Sequence, residues 1–116
     1  AESKFRALTH KDALELPGAY AAALDVRKFN GIGLFNAYGD EVAFALCPAL
    51  AMVNHSCMPN CQQITERGSC QLRALRDIRA GEVLSFSYMS LEGTEVERKQ
   101  EIQNNWNFTC TCYRCR

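Results

Sequence analysis

From Ala19 onward the small and apolar residues Ala19, Tyr20, Ala22, Ala23, Val26 and Phe29 recur at helical spacing, which predicts a helix with a small-residue face. Asn30-Gly31, residue types that tolerate left-handed backbone, closes it. Upstream, residues 2–16 carry a mixed helical pattern that stops at Pro17-Gly18, read as a breaker pair. Past the helix the period changes. Short apolar runs at Ile32–Phe35, Val42–Leu46, Cys61–Thr65, Gln71–Leu75 and Val83–Ser87 predict strands. Turn signals at Tyr38-Gly39-Asp40, Arg67-Gly68-Ser69 and Ala80-Gly81-Glu82 part them, and Gly31-Ile32-Gly33 reads as a strand-edge turn. Thr94 with Glu97 three residues later forms a capping box for a polar helix running to about Asn105. Helices, then short strands, then one helix and a cysteine-rich loop predict an α+β fold with a mostly β centre.

Composition narrows the class. A chain of 116 residues, 47% hydrophobic and 22% charged, suits one globular domain and excludes a disordered or fibrous chain. Its 13 basic and 13 acidic side chains are mixed along the length, leaving no electrostatic footprint for nucleic acid or anionic lipid. No apolar run approaches the ~18 residues of a membrane span, and no charged leader precedes an apolar stretch. The expected setting is therefore soluble and intracellular.

Cysteine changes the picture more. Seven cannot all pair within one chain, and three crowd the end as Cys110-Thr111-Cys112-Tyr113-Arg114-Cys115. This C-x-C-x-x-C spacing suits thiolates converging on one zinc ion, which needs a fourth ligand from Cys47, Cys57, Cys61, Cys70, His10 or His55. The alternative is free or oxidised cysteine at a chain end. Two further segments carry chemistry. Asn54-His55-Ser56-Cys57-Met58-Pro59-Asn60-Cys61 follows the apolar stretch Ala49–Val53; it reads as a polar turn after a buried helix or as a functional site. A catalytic Cys57–His55 pair has no support from adjacency in sequence. Gly81-Glu82-Val83-Leu84-Ser85-Phe86-Ser87-Tyr88 is a strand ending in a tyrosine, a position ordinarily half-buried with its hydroxyl in solvent.

Taken together, Asn54-His55-Ser56-Cys57, Arg73-Ala74-Leu75-Arg76-Asp77-Ile78 with Gly81-Glu82, Ser87-Tyr88, and Phe108-Thr109-Cys110-Thr111-Cys112-Tyr113-Arg114-Cys115 resemble the C-terminal half of a SET domain with its post-SET zinc loop. Asn30-Gly31-Ile32 and the Glu97-Arg98-Lys99-Gln100 helix narrow the resemblance, over about residues 28–116, to the SET-and-MYND subfamily. The resemblance implies a SET-type fold of short strands with flanking helices and a C-terminal zinc knuckle. Residues 1–91 would be the C-terminal portion of the SET domain, with a helical insert at 1–30, and 92–116 the post-SET helix and zinc loop. It implies a protein-lysine N-methyltransferase using S-adenosylmethionine. Tyr88 would be catalytic, and Asn30, Asn54, His55, Tyr88 and Phe108 would hold the cofactor. Trp106 and Ile32 would line the lysine channel, and Cys57, Cys110, Cys112 and Cys115 would bind Zn²⁺. Tryptophan at 106 departs from the family's usual Tyr or Phe. The implied partner is a protein presenting a lysine, histone or non-histone, with no direct nucleic acid and no membrane, in the nucleus and/or cytoplasm. The family's Gly-rich N-terminal half, MYND finger and C-terminal helical domain have no counterpart here. A fragment with weak activity alone is therefore expected, the alternative being a zinc-stabilised, SET-derived interaction module without turnover.

Overall fold

The computed structural model describes residues 17–66 and 69–116; the helical pattern at 2–16 and the candidate ligand His10 lie outside them. Among the described residues, helix α1, Pro17–Asn30, begins at the proline. Proline is tolerated in the first helical turn because its missing N–H would have had no partner in any case. The helix passes directly into strand β1, Gly31–Phe35, so Gly31-Ile32-Gly33 is strand and not the expected turn. Close approach is what the glycines serve. A Cβ on Gly31 would sit 2.6 Å from the Arg27 carbonyl oxygen, and one on Gly33 would sit 2.9 Å from both the Glu41 carboxylate and the Phe35 ring.

Strand β1 pairs antiparallel with β2, Glu41–Leu46, in the register Gly31↔Leu46, with an irregularity between Leu34 and Phe35. Asn36 shapes the turn between them, its side-chain oxygen accepting from the Tyr38 and Asp40 amides at 2.9 and 3.0 Å. A short helix α2, Pro48–Ala51, leads to β3, Asn54–His55. The hairpin β4, Cys61–Glu66, with β5, Ser69–Ala74, follows, and then β6, Ser85–Phe86. Strands β3 and β6 pair in parallel as Asn54↔Ser85 and His55↔Phe86.

The strand expected over Val83–Ser87 contracts to two residues for a visible reason. The Val83 carbonyl and the Ser85 amide are both bound by the Asn60 side chain, at 2.9 Å each, and are lost to any strand ladder. Helix α3, Glu95–Trp106, has the expected capping box: Thr94 Oγ1 accepts from the Glu97 amide at 3.3 Å, and the Glu97 carboxylate accepts from the Thr94 amide at 2.7 Å. Asn107 in left-handed backbone ends it, and a 3₁₀ turn, Tyr113–Cys115, closes the chain's cysteine loop. Among the described residues two apolar clusters result. One joins Ala45, Cys47 and Leu50 to Ile32, Leu34, Cys70 and Leu72; the other joins Cys57, Cys110 and Cys115 to Leu91, Phe108 and Cys112. The architecture is α+β, built from short strands.

Candidate active site and metal centre

The 3₁₀ turn curls the cysteine loop onto one point, the Cys115 amide donating to the Cys112 carbonyl at 2.9 Å. Cys57, just past β3, faces that point. The four Sγ atoms of Cys57, Cys110, Cys112 and Cys115 lie within 4.8 Å of one another, with Cys57 at 3.9 Å from Cys110 and 3.5 Å from Cys115. Tetrahedral zinc with Zn–S bonds of ~2.3 Å sets its sulfurs about 3.8 Å apart, so the donor set and spacing suit a closed tetrathiolate site. Cys47 and Cys70 belong to the other apolar cluster, and all seven cysteines are free thiols.

The electrostatics favour a cation here. Burial, aided by the Cys115 thiol, pushes the Cys57 thiol up to about 12, and burial also raises Cys110. Cys112 is half-buried, and against the desolvation it does suffer, backbone donors at Cys57 and Arg114 and the Cys110 thiol hold it at about 6. Thiolates crowded in a buried site need compensating positive charge, which a divalent ion supplies. Arg98, only 4% exposed, stands beside Cys57 and Cys115, which raise its pKa. Its Nη1 donates to the Gly93 carbonyl at 2.7 Å while its buried Nε has no protein partner. A buried guanidinium next to four thiols fits a centre whose net charge with zinc would be negative.

Tyr88 sits at the middle of the adjoining aromatic cluster. Ring centroids of His55, Phe86, Trp106 and Phe108 lie 5.3, 5.1, 5.6 and 6.5 Å from its own. Its hydroxyl is not in solvent: it donates to the Val53 carbonyl at 2.6 Å, and burial raises the phenol's pKa. Its amide donates to His55 Nδ1 at 3.1 Å, while His55 Nε2 lies 3.3 Å from Cys57 Sγ. Burial lowers the His55 pKa, and both ring nitrogens are engaged within the protein. What His55 presents to a ligand is its backbone and ring face.

Two cavities meet at this cluster. A cleft of about 940 Å³ is lined by Asn54, His55, Tyr88, Trp106, Phe108 and the cysteine loop. A smaller pocket of about 290 Å³ is lined by Asn30, Ile32, Leu50, Phe86, Tyr88 and Trp106. Phe29, Tyr88 and Trp106 line both. The structure thus gathers Asn54, His55, Tyr88 and Phe108 in one cleft and Ile32 with Trp106 in the other. Asn30 lies with the second set, its side-chain amide donating to the Val26 carbonyl at 3.1 Å.

Sequence reasoning gave no role to Asn60 or Arg98. Asn60 is buried and its side chain bonds Glu82, Val83 and Ser85 across 22 to 25 residues, a role with no local signature. Arg98 had a readable sign, since it falls four residues before the fully buried Ile102 and therefore on the inward face of α3.

A family model for the SET domain matches residues 8–89. Histone-lysine N-methyltransferase SMYD3 of Homo sapiens is 36% identical over 107 residues, covering 90% of this chain and 25% of that protein. Histone-lysine N-methyltransferase SMYD1 of Homo sapiens is 34% identical over 100 residues, 74% of this chain and 20% of that protein. SET domain and MYND-type zinc finger protein 6 of Schizosaccharomyces pombe is 34% identical over 86 residues, 74% of this chain and 18% of that protein. The chain spans a quarter or less of the length of these relatives. The SET match extends upstream of the residues that first suggested it, and since it takes in most of the chain, the chain belongs to the SET domain family, in its SET-and-MYND branch.

Proposed function

We propose that the protein carrying this chain is an S-adenosylmethionine-dependent protein-lysine N-methyltransferase whose cofactor and lysine enter from opposite cavities and meet at Tyr88. The observation that carries this reading is the shared wall of Tyr88 and Trp106 between the two cavities. Asn54, His55 and Phe108 take the cofactor in the larger cleft, Phe108 stacking on its adenine ring. Asn30 is assigned to the end of the cofactor that reaches past Tyr88, and Ile32 and Trp106 line the lysine channel. Residues 1–91 form the SET portion and 92–116 the post-SET helix and zinc loop, with Zn²⁺ on Cys57, Cys110, Cys112 and Cys115.

S-adenosylmethionine supplies an electrophilic methyl group on a sulfonium. In-line transfer needs alignment and a neutral amine, and a free lysine has a pKa near ~10.4. The wall of Ile32, Leu50, Phe86 and Trp106 disfavours the ammonium form, while Asn30, Glu41 and Gln63 line the rest of the pocket. Because the Tyr88 hydroxyl proton is directed to Val53, the lone pairs of the phenolic oxygen remain available as acceptors. The raised pKa keeps that oxygen protonated, so its position is fixed by a neutral hydrogen bond. A binding-only module has no chemical need for this arrangement.

The substrate class is a protein lysine. The relatives SMYD3 and SMYD1 are named histone-lysine N-methyltransferases, which supports a histone among the candidate substrates beside non-histone lysines. No helix among the described residues is long and apolar enough to cross a membrane, and the reading places the protein in the nucleus and/or cytoplasm, without nucleic acid as a direct partner. The test is transfer of labelled methyl from S-adenosylmethionine to core histones or a lysine peptide by the zinc-loaded protein. Label on lysine, lost in Tyr88→Phe, is the expected result; no transfer by a protein that binds the cofactor and holds zinc overturns it.

A further inference from the structure

We propose that His55 is a positioning residue that ties the metal centre to Tyr88, a role that rests on the zinc reading of the four cysteines. The argument begins with its hydrogen bonds. The Tyr88 amide donates to Nδ1 at 3.1 Å, so Nδ1 carries no proton. A neutral imidazole with a bare Nδ1 has its proton on Nε2, and Nε2 lies 3.3 Å from Cys57 Sγ. The ring therefore donates to the sulfur of a metal ligand at one end and accepts from the Tyr88 backbone at the other.

Each end has a consequence. An N–H directed at a metal-bound thiolate draws off part of its excess negative charge and holds the ligand in place. The guanidinium of Arg98 lies near the same sulfur and adds positive charge beside it. At the Tyr88 end, the bond fixes the main chain of a residue whose hydroxyl is already anchored on Val53. The His55 ring is itself wedged between Tyr88 and Phe108, with centroids at 5.3 and 6.2 Å. His55, beside Phe108, joins the four-cysteine cluster to the point where the two cavities meet. Loss of the metal releases Cys57, frees the ring and lets Tyr88 shift, without any change at Tyr88 itself.

The test uses the wild-type protein loaded with ¹¹³Cd in place of zinc and labelled with ¹⁵N at histidine. The expected spectrum shows His55 with its proton on Nε2 and a scalar coupling from that proton to ¹¹³Cd through the sulfur. Cadmium bound by four thiolates with a proton on Nδ1, or with no coupling, overturns the His55 role alone. Failure of the four cysteines to take cadmium overturns the zinc reading and the His55 role together. A chelator competition then separates the ends of the ring. His55→Asn keeps an acceptor near the Nδ1 position but has no donor toward Cys57, and should release zinc 10–100-fold more readily. His55→Gln restores a donor near the Nε2 position and should hold zinc within a few-fold of wild type. Equal losses in the two variants would assign His55 a packing role only.

Discussion

Tyr88 shows what one residue's environment adds to its identity. Pattern alone makes it a half-buried strand tyrosine, and half-buried it is; what pattern could not supply is the carbonyl of Val53, 35 residues away, that takes its hydroxyl proton. With that proton committed and the phenol's pKa raised by burial, the group would serve the proposed reaction through lone pairs and position. Tyr88→Phe should therefore lower turnover by roughly 10²–10⁴ while S-adenosylmethionine binding changes little, read by steady-state kinetics beside calorimetry. Unchanged turnover would remove Tyr88 from the chemistry. Asn60 is the opposite case, a residue with no chemical role and a large structural one. Its side chain satisfies Glu82, Val83 and Ser85, so Asn60→Ala removes three part-buried hydrogen bonds and should cost about 1–3 kcal/mol in urea unfolding.

At the scale of elements, local signals carried far. The α1 helix, the two antiparallel hairpins and the Thr94–Glu97 capping box are short-range features, and period, turn residues and caps register them directly. The parallel β3–β6 pair was not legible, because two residues a side leave no periodic trace and the partners lie about thirty residues apart. Thr94→Ala tests the cap: loss of the Thr94 Oγ1 bonds to the Glu97 amide and carboxylate, with the Thr94 amide still bound to Glu97, should destabilise α3 by about 1 kcal/mol in thermal unfolding. The turn before β6 gives a pH signature. Glu82 is held at about 2 by its bond to Arg76, with help from Asn60 and the Arg79 amide. Its folded-state pKa is lower than its unfolded one, so the stabilisation is complete above about pH 4.5 and is lost as pH falls toward 2. Glu82→Gln should flatten that part of the acid unfolding curve; an unchanged curve would show that the turn does not depend on the carboxylate.

For the whole molecule, the four-thiol cluster and the larger cleft adjoin, sharing Cys110 and Cys112. The four thiols were legible as a set only through the family pattern, since spacing ties three of them together but leaves six candidates for the fourth. Folding selects Cys57 by bringing β3 against the C-terminal loop. The same loop, from Thr109 to Cys112, lines the larger cleft, so stripping zinc should loosen the cofactor site as well as the chain's end. Cys112→Ser should lose stoichiometric zinc, and retained metal would show the ligand set to be wrong. The most direct test of the account is calorimetric titration of the zinc-loaded protein with S-adenosylmethionine. One saturable site, weakened by Phe108→Ala and abolished when zinc is removed, is the predicted result. No binding by a folded protein holding one zinc would contradict the assignment of the Asn54–Phe108 cleft to the cofactor.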